Sequence, residues 1–149
     1  MTFIQVLLGE HGAIYPLLER IENTASSADL QGLRIQASLL QSTLVSHADI
    51  EDSLLRPAIQ QYLPPPAPAA DGTAAPTDHE IIRAGLAQVL AAVDERAARH
   101  WLLDTVAKTR QHFLKEETII FAVAQRELSD RAQSELAAEW ARRRGVSVN

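Results

Sequence analysis

The motif His-x-x-x-Glu occurs twice in this chain, at His47 and Glu51 and again at His112 and Glu116. Residues four apart on an α-helix stand one above the other on the same face, so each pair offers an imidazole and a carboxylate to one neighbour. With five histidines in the chain, two such pairs arise by chance in roughly one sequence in twenty. Both pairs lie on apolar stripes of helical period. Leu33, Leu40, Leu44 and Leu54 accompany the first, and Leu102, Val106, Thr109, Ile119 and Val123 the second.

Two further helices follow from the same spacing. Leu7, Leu8, His11, Ile14, Tyr15 and Leu18 predict a first helix over about 3–23, bent near Gly12 and Pro16 because a proline cannot donate to the preceding turn. The helix of His47 starts at a cap on Ser27 or Asp29 and ends at Pro57 and Pro64 to Pro66. Proline and alanine dominate residues 63–76, with Asp71-Gly72 among them, which predicts a loop. Thr77 and Glu80 form a capping-box signature that places His79 in the first turn of a third helix running to about Val93. Asp94 caps the helix of His112, which ends near Leu128, and Ser129 or Asp130 opens a short last helix over about 130–144. No alternation of strand period competes, so the chain reads as all-α and as one domain over 1–149.

The inward stripes of four helices each carry a histidine: His11, His47, His79 and His112. His100 lies twelve residues before His112, rotated by about 120° from that stripe, and reads as a surface residue. Unpaired imidazoles and carboxylates in a leucine-lined interior are costly, and a pair of cations would make each a satisfied ligand. The expectation is a four-helix bundle whose core holds metal through His11, His47, Glu51, His79, His112 and Glu116. Tyr15, one turn beyond His11, is placed to support the set, and Thr43 and Thr109, one turn before helix ligands, could orient imidazoles.

Composition narrows the chemistry. Absence of cysteine excludes disulfides, thiolate zinc sites, iron–sulfur clusters and a cysteine nucleophile, leaving nitrogen and oxygen ligands. A net charge of -5, with the one basic cluster Arg142 to Arg144 at a helix C-terminus, argues against nucleic acid as a partner. The apolar start has no basic flank and is interrupted at Glu10, so the expected setting is cytoplasmic with no membrane contact.

In the order His, His-x-x-x-Glu, His, His-x-x-x-Glu, carried by Glu10-His11-Gly12, His47 to Glu51, Asp78-His79-Glu80 and His112 to Glu116, the chain resembles the hemerythrin-like family, or HHE cation-binding domain, over about 3–128. The resemblance implies an up-down bundle with two iron ions and a bridging oxo or hydroxo. Glu51 and Glu116 would bridge, with His11 and His47 on one iron and His79 and His112 on the other. It implies oxygen binding, or more broadly dioxygen or nitric oxide bound or sensed at open metal positions, and an electron donor of unknown identity. Oxygen-carrying members place a second histidine one turn after the third-helix one, where this chain has Arg83. By ligand count, two octahedral ions then keep about two positions for an external molecule.

Two other readings are open at this stage. One is a di-iron enzyme acting on hydrogen peroxide or oxygen. The other is an interaction module, built on the PxxP of Pro65 and Pro68 and an apolar stripe of Leu136 and Trp140 that could also make a homodimer. Zinc, manganese and cobalt suit the same ligands. A zinc-protease clamp lacks its second histidine after His79-Glu80, and Glu-x-x-His, the ferritin-type pattern, does not occur.

Overall fold

In the computed structural model, which describes residues 1–65, 68 and 70–147, the chain is all-helical, with no strand among the described residues. The elements are α1 (Phe3–Thr24), α2 (Leu30–Ile50), α3 (Arg56–Ile59), α4 (Asp78–Ala91), α5 (Glu95–Lys115), α6 (Phe121–Glu127) and α7 (Asp130–Arg144). Caps set the boundaries. Asp29 accepts from the Gly32 amide (2.7 Å), Asp94 from Ala97 (2.8 Å) and Ser129 from Ala132 (3.2 Å). Thr77 and Glu80 close the expected capping box, and Thr2 with Gln5 closes a second one at the start of α1. Helix α4 stops at Ala91, two residues before the expected end, because Ala92 turns to extended backbone.

Two departures from the sequence reading share one cause. Single π-helical turns, Glu51–Leu55 and Glu116–Ile120, join α2 to α3 and α5 to α6. Each replaces an i→i+4 hydrogen bond by an i→i+5 bond, Arg56 amide to Glu51 carbonyl and Phe121 amide to Glu116 carbonyl. The helix of His47 therefore does not end at Pro57. That residue falls in the first turn after the wide one, and helical structure continues to Ile59 and a 3₁₀ turn, Gln60–Tyr62. The extra residue in the second π turn also slips the stripe, so Phe121 and Ala124 are buried while Ile119 is exposed. Leu8, expected inward, is exposed as well. Helix α1 runs unbroken through Pro16.

The described residues of 63–76 lie outside the helices, as expected of a loop, with Gly72 at positive φ and Asp71 accepting from the Thr73 amide (3.0 Å). Pro66 and Ala67, the middle residues of the PxxP, and Ala69 after it lie outside the described residues. No helix among the described residues is long and apolar enough to cross a membrane.

The long helices are mutual neighbours: α1 meets α2 and α5, α2 meets α4 and α5, and α4 meets α5. Helices α4 and α5 approach closest at Gly85, where a Cβ would meet Thr105 Oγ1 at 2.2 Å. The interior divides into two apolar clusters. One gathers Leu18, Ile21, Leu33, Leu40, Leu86, Val89, Leu102, Val106 and Phe113. The other gathers Phe3, Ile4, Leu7, Ile50, Leu55, Ile59, Phe121, Ala124 and Ala137. The residues between them along each helix are the polar ones, His11 on α1, His47 on α2 with Glu51 in the π turn after it, and His112 on α5 with Glu116 in the π turn after it.

Candidate metal centre

The structure brings all six sequence-predicted ligands together. His11, His47, Glu51 and Glu116 offer ligand atoms within 4.8 Å of one another, and so do Glu51, His79, His112 and Glu116. The two groups share both glutamates. Glu51 Oε1 lies 3.2 Å from His47 Nε2 while its Oε2 lies 3.3 Å from His79 Nε2. Glu116 spans the gap the other way, Oε1 at 3.2 Å from His112 Nε2 and Oε2 at 3.4 Å from His11 Nε2. Both glutamates are the first residues of the π turns, where the backbone widens.

Each imidazole is oriented by a carboxylate that the sequence reading did not assign. His11 Nδ1 donates to Glu117 (2.8 Å), His47 Nδ1 to Glu10 (2.7 Å), His79 Nδ1 to Asp52 (3.2 Å) and His112 Nδ1 to Asp78 (3.3 Å). The links close a ring. An acid from α1 serves the histidine of α2, one after α2 serves α4, one from α4 serves α5, and one after α5 serves α1. Each acid is the immediate sequence neighbour of a ligand, Glu10 before His11, Asp52 after Glu51, Asp78 before His79 and Glu117 after Glu116. That adjacency was the available signal.

With each Nδ1 hydrogen committed to an acid, a neutral imidazole carries its lone pair on Nε2. The Nε2 atoms nevertheless face each other in pairs, 3.0 Å apart for His11 and His47 and 3.0 Å for His79 and His112. Two lone pairs at that distance repel unless a proton or a cation sits between them. Glu51 Oε1, Glu51 Oε2 and Glu116 Oε2 are buried without a well-formed hydrogen bond, each a costly state if nothing binds there. The set is therefore one that could hold metal ions, and its donors are nitrogen and oxygen only.

Electrostatics of the cation-free site point the same way. Burial opposes ionisation of Glu51, yet the His47 and His79 imidazoles beside it, 3.2 and 3.3 Å away, hold its carboxyl well below the usual carboxylate range. Burial and then the Glu51 charge push Glu116 up, so one carboxyl of the pair is ionised while the other keeps its proton. His47 gains more from Glu10 and Glu51 than burial removes and rises to about 9. Burial and the His79 charge lower His112 to about 4. Like groups a few ångströms apart are driven to opposite protonation states, a frustration that cations relieve.

Tyr15 is outside both ligand groups. Its hydroxyl donates to Glu117 Oε1 (3.0 Å), the atom that also holds His11, and burial with this bond pushes its pKa up to about 12. Arg83 is exposed, and it lines a cavity of about 30 Å³ with Leu44, Val45, Leu86, Phe113 and three of the imidazoles. Thr43 and Thr109 orient no imidazole, because their hydroxyls donate to Leu39 and Thr105 carbonyls of their own helices. His100 is exposed, as expected. Phe113 stacks on His11 with ring centres 3.8 Å apart. Trp140, read from sequence as part of an apolar stripe with Leu136, packs with it against the second cluster and also donates its indole N–H to Glu10 (2.8 Å).

Comparison with known proteins adds no constraint, since no family model, no curated protein and no solved structure matches the chain.

Proposed function

We propose that this chain is a hemerythrin-like four-helix bundle that binds two non-heme iron ions and takes up dioxygen or nitric oxide at the positions its residues leave open. The observation that carries the reading is the facing of Nε2 atoms in two pairs, each across 3.0 Å, flanked by buried glutamate oxygens without a well-formed hydrogen bond. His11 and His47 would hold one ion, His79 and His112 the other, with Glu51 and Glu116 shared between them. Iron supplies, when bound, the change of oxidation state and the vacant coordination that reversible capture of a diatomic needs.

The chain's own residues do the rest. The four acids fix the imidazole tautomers so that every Nε2 lone pair points inward. Phe113 covers one face of His11 and keeps water from that side. Leu44, Val45, Ile82, Leu86 and Phe113 line an apolar cavity beside His47, His79 and His112. Its volume of about 30 Å³ suits one or two water-sized molecules, which favours a small uncharged ligand over a peptide or a sugar.

The deciding experiment is iron content and the optical spectrum of protein loaded with ferrous iron and then exposed to air or nitric oxide. Two irons per chain with a gas-dependent, reversible spectral change is the expected result. Failure to take up iron would overturn the reading, and sustained turnover of hydrogen peroxide would transfer it to an enzyme.

A further inference from the structure

Although the six candidate ligands are arranged almost symmetrically, their supports are not. Around His11 and His47 the supporting hydrogen bonds are 2.8 and 2.7 Å long, and the acids Glu117 and Glu10 are 28% and 14% exposed. Around His79 and His112 the corresponding bonds are 3.2 and 3.3 Å, and Asp52 and Asp78 are 47% and 37% exposed. The outer acids are held by Arg56 (3.4 Å) and Lys115 (2.9 Å), each more than half exposed. A flexible, solvated support holds its imidazole less firmly than a short, buried one.

The difference traces to α7. Glu10 Oε1 accepts from Trp140 Nε1 and from Arg144 Nε, both at 2.8 Å, which leaves Oε2 free to hold His47. Arg144 also donates to the backbone carbonyl of Ser46 (3.0 Å) and to the Ser46 hydroxyl. The last residue of α7 thus grips the neighbour of His11 on α1 and the neighbour of His47 on α2. Gly145, at positive φ, then ends the helix and turns the chain away. Among the described residues, the ion partners of Asp52 and Asp78 besides their histidines are Arg56 and Lys115, neither of them on α7.

We propose that α7 is a latch on the metal centre, with Trp140 and Arg144 as positioning residues that act through Glu10 and Ser46 to make the His11/His47 position the more tightly binding of two unequal metal positions. The inference rests on the reading of the site as a two-metal centre. It implies stepwise loading, inner position first, and an outer position from which metal exchanges more readily.

The test is an anaerobic titration with ferrous iron against a chromophoric chelator, on the wild type, Trp140→Phe, Arg144→Gln and the double variant. Arg143→Gln serves as control, because Arg143 bonds Glu139 on its own helix and Ser53 in the first π turn without touching Glu10. The wild type is expected to bind two irons with affinities at least about tenfold apart, and the double variant to lose about 10–100-fold in the tighter step alone. Melting of the metal-free double variant should match that of Arg143→Gln, which separates positioning from general stability; Trp140→Phe, the mildest change, carries the test if the double variant is unfolded. In a His79→Ala background the double substitution should still weaken the remaining iron, and in a His11→Ala background it should not. Equal affinities in the wild type, or equal weakening of both steps, would overturn the latch while leaving the metal centre standing. A wild type that binds no iron would overturn both.

Discussion

The two apolar clusters that sandwich the polar layer are built differently. The one running from Ile14 to Ala25 on α1 draws on α1, α2, α4 and α5, and each long helix supplies part of it. The other cannot use α4, because that helix begins at Asp78, level with the candidate ligands, and extends only toward the first cluster. Its place is taken by α7, which contributes Ala137, by partly buried Leu136 and Trp140, and by the short α3 and α6. The candidate ligand on α4 is accordingly the second residue of its helix, while His11 sits in the middle of α1 and His47 and His112 lie in the last turns of α2 and α5, each continued by a π turn. A helix that starts at the site can donate a ligand but cannot cover what lies beneath, and a fifth helix becomes necessary.

Substitutions can break or sharpen this contrast. Phe113→Ala and Ile59→Ala, one in each cluster and both fully buried, should each cost about 2–5 kcal/mol in denaturant unfolding. Only Phe113→Ala should also weaken iron uptake, since its ring stacks on His11.

The polar layer between the clusters is best addressed by pH. In metal-free protein Glu116 is raised from 4.5 by burial and the Glu51 charge, and His47 is raised from 6.5 to about 9. In both cases the folded chain holds a proton that the unfolded chain has lost, so stability present at low pH is lost as pH rises, from 4.5 to about 10 for Glu116 and from 6.5 to about 9 for His47. His112, lowered to about 4, has the opposite sign and removes stability as pH falls below 6.5. Denaturant titrations of metal-free protein should thus show a decline above pH 6.5. Glu116→Gln should flatten it by at most one proton's worth, about 1.4 kcal/mol per pH unit.

Two smaller changes probe the walls. Gly85→Ala would set a methyl against Thr105 Oγ1 in the four-helix cluster. The expected cost is about 1–3 kcal/mol, recovered in part by a second change, Thr105→Ala. In the cluster under α7, the buried Gln133 amide accepts from the Ile4 amide (3.4 Å) and donates to the Ala124 carbonyl (3.2 Å). Gln133→Ala should cost about 1–3 kcal/mol by stripping both. The smallest effect belongs to Arg110→Ala. Its bidentate pair with Glu22 is exposed, so a loss below about 1 kcal/mol is expected, with iron affinity unchanged.

Much of this was legible in the sequence because the signals were local. Caps at Asp29, Thr77, Asp94 and Ser129 mark helix starts by side-chain chemistry alone. The ligand set followed from spacing, because i and i+4 share a face whatever the tertiary structure. The π turns were not legible: a single widened turn leaves no composition signature, so Pro57 read as a terminator and Ile119 as inward. Nor was the ring of acids, because Glu10 serves a histidine on another helix and its role depends on packing that no periodicity encodes. Trp140 was legible by half: its ring lies in the apolar stripe against the second cluster, while its indole N–H bond to Glu10 depends on packing between helices.

That ring has a consequence for how the chain assembles. The loop 63–76 separates α1–α3 from α4–α7, and two of the four links cross that divide, Glu117 to His11 and Asp52 to His79. Neither half of the chain contains a complete support for its own histidines. Two polypeptides cut within the loop would each carry ligands but no finished site, and recovery of metal affinity on mixing them would count correctly docked pairs. The candidate centre would thereby act as a checksum on the tertiary structure, complete only when the helices that supply each other's acids have docked.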